Sequence, residues 1–428
     1  MKSSLIPFSL VGGALAAVAV ACVAGAEEAP PPRDPAGGGP QAGAAERPVG
    51  EVAARGIAWL IQAQHPNGGW GAGSHARQDV RDPHAVPTDP ATTAFSTMAL
   101  LRAGHTPAAG EHRAAVRRAV VRLVAVVREA PEGPKITTLQ GTQIQSKLGG
   151  LIDTAMTAQC LARVLAHLGE DDPLRGPVDA ALDACLGKLQ SSQGGDGGWR
   201  GGGGWAPVLQ SALSTAALEV ARAVGKQVDA GVLDRAREHQ KGNLDPASGR
   251  AAAEDGAGVE LYGWSGAQRA AASEAKAAAD AVATAVREGV LPEDAPVTVE
   301  NLQRAGVGAD RARALADANQ RYESSLGRLD DERLLAGFGN NGGEEYLSYL
   351  LTSEALVVHG GEEWERWRAK IGARLARVQS ADGSWSGHHC ITSPVFCTAA
   401  VVQCLTVERD AALLAEIARQ DDVRPEDR

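Results

Sequence analysis

Apolar residues along most of this chain recur every three or four positions, the spacing of an α-helix with one buried face. The stripe is clear at Ile57, Ala58, Leu60 and Ile61, at Ala181, Leu182, Cys185, Leu186 and Leu189, and at Trp364, Trp367, Ile371, Leu375 and Val378. Each of these stretches runs into the same phrase, Gln-x-x-(Asp/Asn)-Gly-x-Trp, at Gln64 to Trp70, Gln193 to Trp199 and Gln379 to Trp385. Glycine supplies the left-handed turn that stops a helix, and Asp or Asn tolerates that turn and bonds the local backbone. The tryptophan can fold back over the helix end while the glutamine reaches peptide groups of a neighbouring loop. Gln64, Trp70, Gln193, Trp199, Gln379 and Trp385 are therefore read as structural residues.

A second pattern follows each copy. Residues 93–100, 154–161, 211–218, 349–356 and 394–401 are helical stretches crowded with Ala, Ser and Thr. Small side chains on every face allow close neighbours on several sides, as in an inner ring. The helices between them have one apolar stripe and one charged face. In 113–128, Val116, Val120, Leu123, Val124 and Val127 lie opposite Arg117, Arg118 and Arg122. Inner and outer helices should therefore alternate. The step from 211 to 349 is about twice the others, and Val259 to Trp264 is read as a degenerate sixth copy there. Six hairpins are enough to close a ring. The predicted class is all-α, an α/α toroid of about six hairpins, with an Ala-, Glu-, Lys- and Arg-rich helical insertion at about 265–335.

The repeated phrase ahead of small-residue helices resembles the repeat of squalene/hopene cyclases and protein prenyltransferase β-subunits. The resemblance covers about 50–225 and 336–408 and leaves the insertion uncovered. It implies a ring with a funnel-like central cavity and the N-termini of the inner helices around one mouth. It also implies an apolar isoprenoid-like or lipid ligand in that cavity, bound and, if the protein is an enzyme, processed.

The N-terminus modifies this picture. Met1-Lys2 precedes an apolar stretch from Leu5 to Val23 and then Ala24-Gly25-Ala26, so residues 1–26 read as a signal peptide. A lipidated Cys22 or an uncleaved anchor are the other readings, and only through them would the chain meet a membrane. All three place the protein outside the cytoplasm: periplasmic, at the cell surface or extracellular. Residues 27–48, rich in Pro, Gly and Ala, read as a disordered tether. Residues 49–408 form the expected toroid and 409–428 an acidic C-terminal tail. The net charge of −10 has both signs interspersed, without a basic block, which speaks against a nucleic-acid partner.

Candidate chemistry is sparse. The cyclase family carries its acid in an Asp-x-Asp-Asp-Thr-Ala motif. The matching stretch here, Gly150 to Ala155, keeps only Asp153. Asp153 is either a general acid or the N-cap of its own helix. Aromatic residues make up 4% of the chain, few for a cavity that must stabilise a polyene cation.

The prenyltransferases hold zinc with Asp, Cys and His. No Asp-x-Cys pair opens an inner helix here, and Ser393 stands about where the family's histidine falls. The last repeat nevertheless holds His388, His389, Cys390 and Cys397. His388 and His389 are candidate bases. His389, Cys390 and Cys397 are candidate zinc ligands, with a Cys390–Cys397 disulfide or unligated side chains as the alternatives. Cys160 and Cys185 flank the Asp171-Asp172-Pro173 turn symmetrically and could pair across two antiparallel helices. Glu344 and Glu345 open the fifth inner helix, either stabilised there by its dipole or serving as acid and base. Asn340, Asn341, Tyr346, Tyr349 and Phe396 are candidate substrate contacts.

Two other functions stay open. A secreted carbohydrate-active toroid, a polysaccharide lyase or glycosidase, would need an Arg- and Tyr-lined groove. A non-catalytic protein-interaction scaffold would fit a narrow, Ala-filled lumen.

Overall fold

The computed structural model describes residues 48–339 and 341–422, and the regular structure among them is helical. The first eight α-helices are α1 Val49–Gln62, α2 Pro90–Arg102, α3 Arg113–Arg128, α4 Gln143–Leu148, α5 Ile152–Leu165, α6 Arg175–Ser191, α7 Pro207–Ala223 and α8 Ala230–Lys241. Then come α9 Glu260–Arg287, α10 Val299–Arg304, α11 Ala309–Leu326, α12 Glu332–Leu335, α13 Gly343–His359, α14 Gly361–Arg377, α15 Pro394–Leu405 and α16 Ala411–Asp422. The residues read as a signal peptide and tether, apart from Pro48, and Asn340 lie outside the described residues. Among the described residues no helix is long and apolar enough to cross a membrane.

Six of these helices close a ring. α2 packs on α5, α5 on α7, α7 on α9, α9 on α13 and α13 on α15, and α15 returns to α2. Outside them, α3 lies on α2, α6 on α5, α8 on α7 and α9, α11 on α9, α14 on α13, and α1 on α15. This is an α/α toroid of six hairpins, as the two alternating kinds of helix predict. Composition explains which helix goes where. The small-residue helices α2 and α5 bury every residue they have. The outer α3 buries one stripe, from Ala115 and Val116 to Val127.

The three copies of the Gln-to-Trp phrase make the same joint. The indole N–H of Trp70, Trp199 and Trp385 donates to the carbonyl ten residues back, Leu60, Leu189 and Leu375, at 2.8 to 2.9 Å. The backbone N–H of each Trp donates to a hydroxyl of the following inner helix: Thr93, Ser211 or Thr398. The glutamine amide donates across to the next outer helix, at the carbonyls of Ala115, Val232 and Val52. Gly68, Gly197 and Gly383 have φ of 84°, 87° and 97°, and a Cβ there would strike a carbonyl oxygen of that same outer helix at 2.6, 2.2 and 2.8 Å. Only glycine suits both demands. Because Val52 belongs to α1, the third joint ties the last hairpin to the first and closes the ring.

The inner helices run parallel. Their N-termini interlock at one rim, where Ala91 N–H donates to Asp153 and Leu151 N–H donates to Gln210. At the same rim Tyr262 donates to Glu345, and Ser393 N–H donates to Gln143. Toward their C-termini, Arg102, Arg163, Glu219, Arg269 and Glu354 join in a buried ion network with Asp410 and with Arg237 of α8.

Two expectations need correction. The segment from 265 does not leave the ring, because α9 continues unbroken to Arg287 and residues Leu261 to Ala275 are buried wall. Only its far half departs, where Ala277, Ala278, Val282 and Ala285 share a small second core with Leu291, Leu302, Ala312 and Leu315. The C-terminal stretch is not simply a tail. α16 packs on α7, α9 and α13 through the stripe Leu414, Ile417 and Ala418, which its acidic composition hides.

Candidate functional site

The N-terminal rim carries the polar chemistry. Loop 386–393, which leads into α15, is pinned from both sides. Arg81 donates to the carbonyls of Gly387 and Thr392, and Gln78 to that of Cys390. The Gln143 side-chain Oε1 accepts from Thr392 N–H at 2.8 Å, and Gly343 N–H donates to the Ile391 carbonyl at 3.0 Å. These bonds set His389 against the first turn of α13. There Glu345 is 0% exposed and Glu344 2%.

Glu345 is held firmly by one oxygen and left open at the other. Its Oε1 accepts from Tyr262 Oη at 2.7 Å and from Phe338 N–H at 2.9 Å. Its Oε2 has no hydrogen-bond partner and lies 3.7 Å from His389 Nε2. Glu344 accepts from Ile391 N–H at 3.2 Å. Burial, and then the neighbouring Glu345, push its carboxyl up to about 8. His389 is pulled below the ordinary histidine range by burial, against the opposing pull of Glu345. The donor atoms of Glu344, Glu345 and His389 all lie within 4.8 Å of one another.

Around this cluster stand a buried cation and two exposed rings. Lys147 Nζ lies 3.9 Å over the ring of Trp205 and bonds the Cys390 thiol. Phe338 meets His389 edge-on at 5.2 Å. Trp205 and Phe338 are 62% and 63% exposed, and both belong to this rim. Lys147, Trp205, Tyr262, Phe338, Gln78 and Gln143 were not singled out by sequence. Tyr262 sits in the degenerate sixth copy, which could have pointed to it. Lys147 and Gln143 lie in a six-residue helix that nothing in the chain marks as special.

The other candidates fall elsewhere. Asp153 does not cap its own helix. It accepts from Ala91 N–H at 3.0 Å and from Gln145 Nε2 at 2.7 Å, so it staples α2 to α5 and α4. Burial raises its carboxyl above the ordinary range. Burial and the charge of Asp153 push Asp89, the N-cap of α2, up to about 7. His388 is exposed and bonds the Asn341 carbonyl at 2.9 Å. The expected substrate contacts Tyr346, Tyr349 and Phe396 are core residues instead. Tyr349 donates to the Leu335 carbonyl at 2.6 Å, Tyr346 to Asn341 at 3.4 Å, and Phe396 stacks on Phe95 at 4.7 Å.

The cysteines also differ from expectation. Cys160, Cys185, Cys390 and Cys397 are free thiols. Cys160 bonds Thr97 rather than facing Cys185. The Cys397 sulfur turns to the Ile391 carbonyl at 3.6 Å, while Cys390, with φ 53°, bonds Lys147. Cys390 is therefore no partner for Cys397, and neither thiol joins the cluster of three donors around His389. The prenyltransferase zinc set does not fit this rim, where two glutamates stand in place of an Asp-x-Cys pair.

The lumen is filled. The faces of α2, α5, α13 and α15 turned to the centre have almost no accessible surface, and the ion network and α16 close its far end. The central cavity expected from the resemblance is occupied by the chain's own side chains.

No protein-family model and no curated protein matches the chain. Among solved structures it is similar to the apo form of the type II terpene cyclase MstE from Scytonema. The match has 14% sequence identity and a TM-score of 0.43, over 85% of this chain and 99% of that one. So distant a likeness carries nothing about activity, and the toroid is established by the helix packing itself.

Proposed function

We propose that this chain is an exported toroid that binds an apolar, isoprenoid-like or lipid ligand at the N-terminal rim of its ring rather than in the lumen. The observation that carries this reading is the exposure of Trp205, over Lys147, and of Phe338, against His389 of a buried, incompletely satisfied polar cluster. Exposed aromatic rings beside convergent polar groups are the usual make-up of a small-molecule site. The apolar part of the ligand lies on the two rings, and a polar end group meets Lys147 or the glutamate–histidine cluster. Export rests on the leader.

Polycyclisation is not part of the proposal. Protonating an alkene takes a strong acid, whereas burial holds Asp153 and Asp89 above their ordinary values and so weakens them as donors. The carbohydrate-active alternative loses its support, because Tyr262, Tyr346 and Tyr349 bond inward rather than lining a groove. A non-catalytic scaffold is favoured by the filled, Ala-rich lumen, with Trp205 and Phe338 then serving as protein contacts.

Native mass spectrometry of the mature protein from an exporting host tests the reading. We expect a co-purifying apolar molecule that is lost on denaturation and absent from the Trp205→Ala/Phe338→Ala double variant. A bare wild-type mass that also stays bare after incubation with an isoprenoid alcohol would favour the scaffold.

A further inference from the structure

We propose that Glu344, Glu345 and His389 form a binding site for one divalent first-row transition-metal ion. The site lies at the rim assigned to the ligand, but the inference does not depend on a ligand and can stand or fall alone.

The geometry points to a cation in three ways. First, the three donor atoms converge within 4.8 Å from two separate segments, the first turn of α13 and the loop before α15. Ligand oxygens and nitrogens bind zinc at roughly 2.0–2.2 Å, so a modest closure brings all three onto one ion. Second, the convergence lacks a donor of its own. Glu345 Oε2 belongs to a wholly buried residue and has no hydrogen-bond partner, and neither ring nitrogen of His389 has one. A buried carboxylate oxygen without a donor is costly, and an ion between it and the imidazole removes that cost for both. Third, Gly342 forms a cradle. A Cβ on it would lie 2.5 Å from Glu345 Oε2 and 2.5 Å from His389 Cε1, in the space where the two ligands must meet.

The surroundings are those of a prepared ligand set. Tyr262 and Phe338 N–H fix the other oxygen of Glu345, and Ile391 N–H fixes Glu344. Such outer bonds orient metal ligands. Two carboxylates balance a divalent charge, and two oxygens with one imidazole nitrogen suit zinc, manganese or iron(II). Three protein ligands leave a coordination position for water or a ligand, the open form of such a site. The thiols of Cys390 and Cys397 stay outside the set.

The test uses tag-free mature protein, stripped with chelator and titrated with zinc against a chromophoric competitor. Metal content is counted by elemental mass spectrometry, and melting is followed with and without zinc. One zinc per chain is expected, with a melting temperature that rises with free zinc. His389→Ala and Glu345→Gln should abolish binding. Gly342→Ala keeps all three donors and should weaken it by roughly tenfold or more. Cys390→Ser and Cys397→Ser should bind as the wild type does. Wild-type protein with no stoichiometric zinc and no zinc-dependent melting shift overturns the site, even if a ligand variant fails to fold. Loss of zinc in Cys390→Ser overturns the ligand assignment.

Discussion

Asp153 and Glu345 are both buried carboxyl groups, and their partners separate their roles. Asp153 spends both oxygens on its neighbours, the Ala91 N–H and the Gln145 amide. It acts as a staple between helices. Asp153→Asn must turn an amide toward one of those two donors, which leaves a buried group unsatisfied. We expect a loss of about 1–3 kcal/mol in chemical denaturation, with ligand binding at the rim unchanged. Glu345 spends one oxygen and keeps the other, so its surroundings are those of a binding group. The sequence showed both residues at helix starts, yet it could not tell them apart. What separates them is Tyr262, 83 positions from Glu345 along the chain. The thiols teach the same lesson. Cys160 and Cys185 are well spaced for pairing across a hairpin, but the direction of each side chain is set by packing, and Cys160 turns to Thr97.

Helix dipoles rationalise the placement of charge at the two ends of the ring. Six parallel N-termini gather at one rim, where Asp89, Asp153, Glu344 and Glu345 are found, and Arg102 and Arg163 stand in the last turns of α2 and α5. The arginines there are paired. Glu354 bridges Arg102 and Arg269, Glu219 bridges Arg269 and Arg237, and Asp410 bridges Arg102 and Arg163. Burial alone would raise the Glu354 carboxyl, but Arg102, Arg269 and Arg163 outweigh it and hold the group at about 2. Its folded value thus lies below its unfolded one. The stability it contributes is present above about 4.5 and is lost as pH falls toward about 2. His359 has its value lowered by burial to about 4, so acidification from 6.5 toward 4 costs stability as well. Glu344 and Asp89, whose carboxyls burial raises to about 8 and about 7, act in the opposite sense and gain stability as pH falls from those values toward the ordinary carboxylate range. Melting temperature should therefore fall with acidification below about pH 4, and Glu354→Gln should flatten that fall. At neutral pH the same substitution leaves buried arginines underpaired and should cost about 3–5 kcal/mol. Asp410, which pairs with Arg102 and Arg163, lies just before α16, so deleting residues 411–428 should destabilise the far end of the ring without moving the rim. Hydrogen exchange in α7, α9 and α13 reads that directly.

The ring as a whole was legible because it is written as a repeat, with a helix-stopping phrase and an inner-helix composition recurring along the chain. Its closure was legible only as arithmetic. The physical closure lies in Gln379, Trp385 and their bonds to Val52, Leu375 and Thr398. Trp385→Ala should cost about 3–5 kcal/mol and raise hydrogen exchange in α1. Trp199→Ala should cost a similar amount and spare α1. The contents of the ring were not legible. An alternation of small residues fits an open funnel and a packed lumen equally well, and only the side-chain volumes meeting at the centre decide. They leave the rim as the place we propose for the ligand. Photo-crosslinking with a benzophenone-bearing isoprenoid, mapped by peptide mass spectrometry, tests that claim most directly. Labels on segments 200–206, 337–342 and 386–391 are the predicted result, and labels confined to the lumen helices at 95–102, 155–163 or 212–221 would contradict it.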